Sequence, residues 1–445
     1  MNRRIARAAG LAAASALMGV ALPALAQDAP PAPPAIDTGD TAWVLVASAL
    51  VLMMTLPGLA LFYGGLVRAK NILNVLVQCF ASAAVIGVLW IVVGYSLAFA
   101  GSSAFIGDFS KSMLNGVTLE SVTANFAAPP RNIPEYIFIM FQAMFAIITP
   151  GLIIGAVVER MKFSVFVAFI TLWVLVVYCP VAHMVWSSPG FLFAKGAIDF
   201  AGGLVVHMTS GFSALAAALM LGKRKGFGRQ PMPPNSLPLC LTGAGLLWTG
   251  WFGFNAGSAL SASPLATLAF LNTSTAASMA TLTWAGIEWI HRGKPTALGA
   301  ATAAVAGLVA ITPACGNVSP AGALAVGFGV ALICYCAVTF LKARAGYDDS
   351  LDAFGVHGVG GAWGALASGL FTTSYPAGDF GKQLIVQLEG IAIVAIYAPL
   401  ATFVLLTLLK ALFGSLRVSD EAEFNGLDLA EHSESAYAMG GGPGE

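Results

Sequence analysis

Long apolar runs broken by short polar turns recur along almost the whole length of this chain. Runs of roughly 17–25 residues with few charges are what α-helices need to cross a bilayer. The runs are continuously apolar rather than alternating, which argues against a β-barrel. The pattern predicts eleven spans, at about 41–63, 73–100, 134–158, 164–186, 199–221, 236–256, 265–290, 297–314, 321–341, 354–371 and 384–412. The expected fold class is therefore an all-α membrane protein.

Composition agrees. Of the 445 residues 58% are hydrophobic and only 9% charged, against about 25% charged in soluble domains, which excludes a globular soluble protein. A net charge of zero gives no pointer to a nucleic-acid or acidic partner. The six cysteines, mostly inside predicted spans, form neither a disulfide framework nor a Cys-x2-Cys metal pair.

Residues 1–26 read as a signal peptide, with Arg3, Arg4 and Arg7 before an apolar Leu11–Leu22 and an Ala24-Leu25-Ala26 cleavage site. Residues 27–40, with the Pro30–Pro34 piece, form a linker, 41–413 the membrane domain, and 414–445 a tail. The mature amino terminus is then external, and an odd number of spans puts the carboxyl terminus inside. Basic residues test this independently, because they favour the cytoplasmic side. Fourteen fall in the proposed inner segments (Arg68, Lys70, Arg160, Lys162, Lys223, Arg224, Lys225, Arg229, Arg292, Lys294, Lys342, Arg344, Lys410 and Arg417). Four fall outside: Lys111, Arg131, Lys195 and Lys382.

The chain also repeats itself. Asp199-Phe-Ala-Gly-Gly-Leu-Val-Val-His207 returns as Asp349-Ser-Leu-Asp-Ala-Phe-Gly-Val-His357, with Gly211 and Gly361 four residues further on. Gly58, Phe62 and Gly65 match Gly250, Phe254 and Gly257, and Ile148-Thr149-Pro150 matches Ile311-Thr312-Pro313. The partners lie five spans apart. Five is odd, so the halves are expected to be two inverted five-helix repeats plus a final helix, with the substrate route at their interface. The many glycines inside spans are expected to serve close helix packing.

Ionisable side chains at membrane depth are costly and usually face a cavity. Two histidines at equivalent repeat positions therefore mark a site. Paired neutral imidazoles supply one donor and one acceptor each and can share a proton while lining a path for a small polar solute. A helix–helix hydrogen bond is the plainer alternative. A metal centre needs a third ligand, and only His183 is placed to contribute. Asp199, roughly 12 Å along the helix from His207 at about 1.5 Å per residue, suits a helix N-terminus and also a charge above a channel mouth. Phe141-Gln-Ala-Met-Phe145, Trp186 and Trp251-Phe-Gly-Phe254-Asn-Ala-Gly-Ser258 converge on the outer side. An aromatic cluster with a hydroxyl can hold a cation, and stacked rings below it can hold out hydrated ions.

Together with Ala310-Ile-Thr-Pro-Ala-Cys-Gly316 and Asp348-Asp-Ser-Leu-Asp352, these motifs resemble the ammonium transporters of the Amt/Mep/Rh family, nearest to its bacterial Amt branch. The resemblance runs from about residue 40 to the tail. It implies a homotrimer in membrane lipid with one pore per subunit. It implies ammonium recruitment at Phe145, Trp186 and Ser258 supported by Asp199, a gate of Phe145 and Phe254, and conduction past His207 and His357. The tail, Ser415-Leu-Arg-Val-Ser-Asp through Asn425-Gly-Leu-Asp428, resembles a cytoplasmic regulatory segment that works with trimeric PII signalling proteins. Its end, Met439–Glu445, is Gly-rich and expected to be disordered. No cofactor and no enzymatic activity is expected; the location is the bacterial inner membrane.

The chemistry stands beside the resemblance. Ammonium and potassium are alike as cations, but only ammonium can give up a proton, so an apolar passage can pass ammonia and refuse ions. Whether the proton crosses too stays open at this point. The rival readings are an ammonium sensor of the same fold signalling through its tail, and an intramembrane metalloenzyme.

Overall fold

Helix starts follow the local sequence closely. Ser236, Ser263, Thr296, Ser319 and Asp379 each place a side-chain oxygen on a backbone N–H of the following turn, and proline stands in the first turn after the three serines. The computed structural model describes residues 35–123 and 132–437. The signal peptide, most of the linker and Met439–Glu445 lie outside the described residues.

The described residues contain helices and no strand, with isolated bridges such as Met161 to Arg417. Eight helices are long and apolar enough to cross a membrane: α1 (Thr38–Leu66), α2 (Ala69–Phe99), α3 (Glu135–Val157), α4 (Phe163–Ala194), α5 (Gly203–Leu221), α6 (Leu237–Gly257), α9 (Pro320–Ala345) and α11 (Phe380–Phe413). Between them lie α7 (Pro264–Arg292), long but rich in Ala and Thr, and α8 (Ala297–Ile311), which is short. The tenth, α10, joins a π-helical turn, Phe354–Gly358, to Val359–Phe371. From Ile36 onward the described residues pack as one unit.

The helix expected from residue 199 starts later. Gly202 is left-handed (φ 119°), so residues 199–202 form a turn and α5 begins at Gly203. Only glycine takes that conformation freely. Asp199 fills the place of a cap ahead of it. Both histidines lie in π-helical turns, Gly203–Met208 and Phe354–Gly358. The extra residue in such a turn shifts the side chains that follow, and π-turns are often found at functional sites.

Several glycines have the packing role expected of them. Gly211 of α5 meets the backbone of Gly358 in α10, and Gly361 faces the His207 Cβ. These close approaches set the two histidine helices against each other. At the end of the bundle that carries the tail, Glu159 binds Arg68 and Arg224, and Arg224 also takes Asp348 through paired hydrogen bonds of 2.8 and 2.9 Å. Asp352 pairs with Lys342 (2.7 Å), and Asp349 accepts from Phe354 N (2.7 Å). These aspartates are caps and loop anchors.

The tail folds back on this end as two short helices, α12 (Asp420–Asn425) and α13 (Leu427–His432). Buried Glu423 accepts from Lys225 N (2.6 Å) and pairs with Arg417 (2.5 Å). The Asp428 carboxylate accepts from Asn74 N (2.8 Å), and Asn71 accepts from Leu427 N (2.9 Å).

Candidate functional site

The two histidines, 150 residues apart in sequence, touch. His207 Nδ1 lies 3.3 Å from His357 Nδ1, the rings nearly parallel at 24° with centroids 5.3 Å apart. Both are buried. Their neighbours fix the direction of the hydrogen bonds. The Thr312 hydroxyl donates its one proton to the Leu308 carbonyl (2.8 Å) and accepts from Trp251 Nε1 (2.9 Å). Its remaining lone pair faces His207 Nε2 at 3.3 Å, so that nitrogen carries the hydrogen. Nδ1 of His207 is then the acceptor and Nδ1 of His357 the donor. His357 Nε2 is left as an acceptor.

An aromatic column stands on the Asp199 side of the pair. Phe254 lies 6.1 Å from the His207 ring at 27°, and Phe145 packs on Phe254 with centroids 4.3 Å apart. Trp186 meets Phe145 edge-on at 5.7 Å and 88°. Trp251 flanks His207 at 5.5 Å. Phe145, Phe254 and Trp251 are essentially fully buried. Helix α3 supplies Phe145, α4 Trp186, and α6 both Trp251 and Phe254, so the column depends on three helices holding their register.

Three hollows follow this column. The first, about 330 Å³, is lined by Gln142, Phe145, Trp186, Asp199 and Ser258 among others. The second, about 10 Å³, lies among Phe254, Trp251, His207 and His357. That is about one water-sized sphere. The third, about 180 Å³, is lined by His357, Phe62, Tyr63 and Asp352. His357 borders the second and third hollows, and His207 only the second.

The first hollow has two free acceptors. Ser258 donates to the Phe254 carbonyl (2.8 Å), so its lone pairs remain for an N–H donor. Gln142 Oε1 is buried without a hydrogen-bond partner. Asp199 behaves differently. Oδ1 accepts from Gly202 N (2.9 Å) and Gly203 N (2.5 Å), and Oδ2 from Leu204 N (2.9 Å) and Val205 N (3.1 Å). All four lone-pair positions of the carboxylate are taken. Its backbone carbonyl accepts from Trp186 Nε1 at 2.9 Å. Asp199 thus holds the start of α5 and the Trp186 ring, and does not itself offer an oxygen to a cation.

The structure brings together all seven residues singled out in sequence: Phe145, Trp186, Ser258, Asp199, Phe254, His207 and His357. It leaves His183 apart. That ring faces the carbonyls of Ala98 and Ser103 rather than the pair. Among the described residues no three of His, Cys, Asp and Glu are grouped as metal ligands would be. The sequence showed Thr312, Trp251 and Gln142 only as members of motifs and gave none of them a part of its own. Thr312 was visible in the repeated Ile-Thr-Pro, and Gln142 as a lone amide in an apolar run.

Fold and site define a multi-pass helical membrane protein with a string of internal hollows and an imidazole pair between two of them. The model of the Ammonium Transporter Family matches residues 42–437, and the chain belongs to that family. It is 46% identical to an ammonium transporter of Aquifex aeolicus over 91% of this chain and 94% of that one. It is 44% identical to an ammonium transporter of Bacillus subtilis over 90% of this chain and 99% of that one. Among solved structures it resembles Mep2 of Candida albicans (TM-score 0.80, 36% identity, 87% of each chain). It also resembles a protein described as a sensor Amt protein (TM-score 0.82, 30% identity, 88% of this chain and 98% of that one).

Proposed function

We propose that this protein transports ammonium, capturing the cation in the hollow of Phe145, Trp186, Ser258 and Gln142 and conducting ammonia past the Phe145–Phe254 gate and the His207–His357 pair. The observation that carries this reading is the 3.3 Å contact between the two imidazoles behind stacked, buried phenyl rings. Ring faces attract a small cation and Ser258 and Gln142 accept its N–H groups. Beyond the gate the lining is apolar, so a fixed charge is costly there, whereas the neutral base is not. The ordered pair then presents hydrogen-bond partners along the path: His357 Nε2 is free to accept, and a proton passed between the rings reverses their order. Asp199 supports capture by holding Trp186 and the start of α5 in place.

The remaining parts of the reading belong to the same proposal. The eight long apolar helices together with α7, α8 and α10 make eleven spans in two inverted repeats plus α11. Supporting that, equivalent segments carry each histidine, and an aspartate ahead of each caps the turn. The basic excess at the tail end favours a cytoplasmic carboxyl terminus, with residues 1–26 a cleaved signal and the location a bacterial inner membrane. Three copies form the working assembly in lipid, and the tail is the contact for a PII-type protein. In reconstituted liposomes the wild-type chain takes up methylammonium well above protein-free vesicles; uptake no greater than theirs contradicts the reading.

A second reading is a sensor that binds ammonium and signals through the tail. The similarity to the sensor Amt protein favours it. Appreciable flux by the chain truncated after Phe413 counts against it.

A further inference from the structure

His183 lies one turn before Trp186 on α4, is fully buried, and takes no part in the gate or the histidine pair. Its Nδ1 is 3.0 Å from the Ala98 carbonyl and its Nε2 2.7 Å from the Ser103 carbonyl. Carbonyl oxygens only accept, and a neutral imidazole has a single N–H. Both contacts are hydrogen bonds only when both ring nitrogens carry hydrogen. In the neutral ring one nitrogen lone pair would face a carbonyl lone pair at hydrogen-bonding range.

The surroundings suit a positive ring. Ala98 lies in the last turn of α2, where carbonyls have no intrahelical partner and the helix end favours a cation. Asp108, in the loop that follows, is held below its usual carboxylate range by hydrogen bonds from Ser110, and the charge at His183 adds to this. Of the other ionisable groups on packed elements, Tyr178 on α4 is buried with its hydroxyl unpartnered, and the Asp199 carboxylate is taken up by four backbone N–H groups. Tyr95 on α2 donates to Glu135 (2.7 Å), Lys195 beyond the end of α4 pairs with Glu389 (2.5 Å), and His207 belongs to the pair. On α4 itself, Cys179 directs its thiol at the Gly94 carbonyl (3.5 Å).

What His183 grips is a wall of the first hollow. Phe99 and Gly101, between its two carbonyl partners, line that hollow with Phe145 and Trp186. The loop is tied further by Phe191 N to the Ala104 carbonyl (2.8 Å) and by Phe105 stacked on Phe191. Without the second His183 donor, the turn from Ala98 to Ser103 loses its buried anchor beside the Trp186 helix.

We propose that His183 is a positioning residue that donates from both ring nitrogens and so clamps the Ala98–Ser103 turn as a wall of the ammonium-capture hollow, and that capture weakens when this double donor is removed. The proposal rests on the capture reading of that hollow. The test uses the full-length protein in lipid nanodiscs with nitrogen-15-labelled histidine, the His183 signal being assigned by its loss in His183→Phe, or in His183→Gln should the first variant not fold. We expect both His183 ring nitrogens to carry hydrogen in the wild-type protein. Amide exchange over residues 98–108 should be faster in the variant. In liposomes KM for methylammonium should be several-fold higher in the variant with kcat unchanged. A single N–H on the wild-type ring, or loop exchange unchanged in the variant, overturns the clamp. A doubly donating ring whose loss loosens the loop while KM stays at the wild-type value also overturns the proposal, and places the fault in the capture reading instead.

Discussion

The backbones of Gly211 and Gly358 touch: a methyl group on Gly211 would lie 2.1 Å from Gly358 N and 2.4 Å from its Cα. The atoms met are backbone and cannot swing away, so the helices carrying His207 and His357 approach this closely only because position 211 is glycine, whereas a methyl group on Gly358 would first meet the Phe354 ring at 2.7 Å. Gly211→Ala must push α5 and α10 apart. Overpacking of this kind costs about 1–3 kcal/mol. We expect a lower unfolding temperature in detergent and a large fall in methylammonium uptake, because the imidazole contact opens. Wild-type uptake in this variant would show that the close crossing is not needed.

Thr312 orders the histidine pair. Thr312→Val removes the acceptor of both Trp251 Nε1 and His207 Nε2, and an orphaned buried donor costs about 1–3 kcal/mol. Two outcomes should follow together: reduced stability, and slower transport at unchanged KM, since the capture hollow lies beyond Phe254. Thr312→Ser keeps the hydroxyl and should retain most of the activity.

The end of the bundle that carries the tail makes a pH prediction. Burial pushes the Asp349 carboxyl up to about 6, against about 3.9 for an unperturbed Asp. A carboxyl raised in the folded state opposes folding when ionised, fully above about pH 6 and not at all below about pH 4. Asp349→Asn should therefore unfold at a higher temperature than wild type at pH 8 and converge with it near pH 4. Glu159 runs the other way. Burial alone would raise it, but the Arg224 and Arg68 charges outweigh burial and hold it below its usual range. Its contribution is present above the unfolded value near 4.3 and lost as the pH falls through the lower folded one. Glu159→Gln should accordingly destabilise at pH 7 and make little difference at strongly acid pH.

Glu423 fastens the tail. It is buried and binds both Lys225 N and the Arg417 guanidinium. Glu423→Ala leaves Arg417 half-buried without its carboxylate, and limited proteolysis should then cut the tail after residue 413 faster than in wild type. An unchanged digestion rate would mean that the Asn71 and Asn74 contacts suffice to hold it.

Much of this was legible in the sequence, for a physical reason. Histidine and aspartate are so disfavoured in apolar helices that His207, His357 and Asp199 stand out against their background, and the repeat made the two histidines a pair. Several helix starts carry a mark, Ser, Thr or Asp before Pro or an apolar run, but the apolar runs alone placed the start of α5 at residue 199, and the left-handed Gly202 delays it to Gly203. Residues that are ordinary in membrane helices gave no such contrast. Thr312, Trp251 and Gln142 are a hydroxyl, a ring and an amide of common types, and only their placement beside His207 or in the first hollow gives them a part. Asp199 was legible as a cap, but that its carboxylate is wholly consumed by four N–H groups depends on the left-handed turn at Gly202. The docking of the tail on α2 could not be read, because its contacts join residues some 350 positions apart.

The central claim is that the touching imidazoles conduct ammonium-derived base while refusing alkali ions. The most direct measurement is the charge and solute movement in proteoliposomes given an ammonium pulse and, separately, a potassium pulse. It is made on wild type and on the protein with His207→Ala and His357→Ala together. The account predicts ammonium transport without potassium transport in wild type, and in the double variant either no ammonium transport or a loss of potassium rejection. Ammonium transport and potassium rejection both unchanged in the double variant would contradict it.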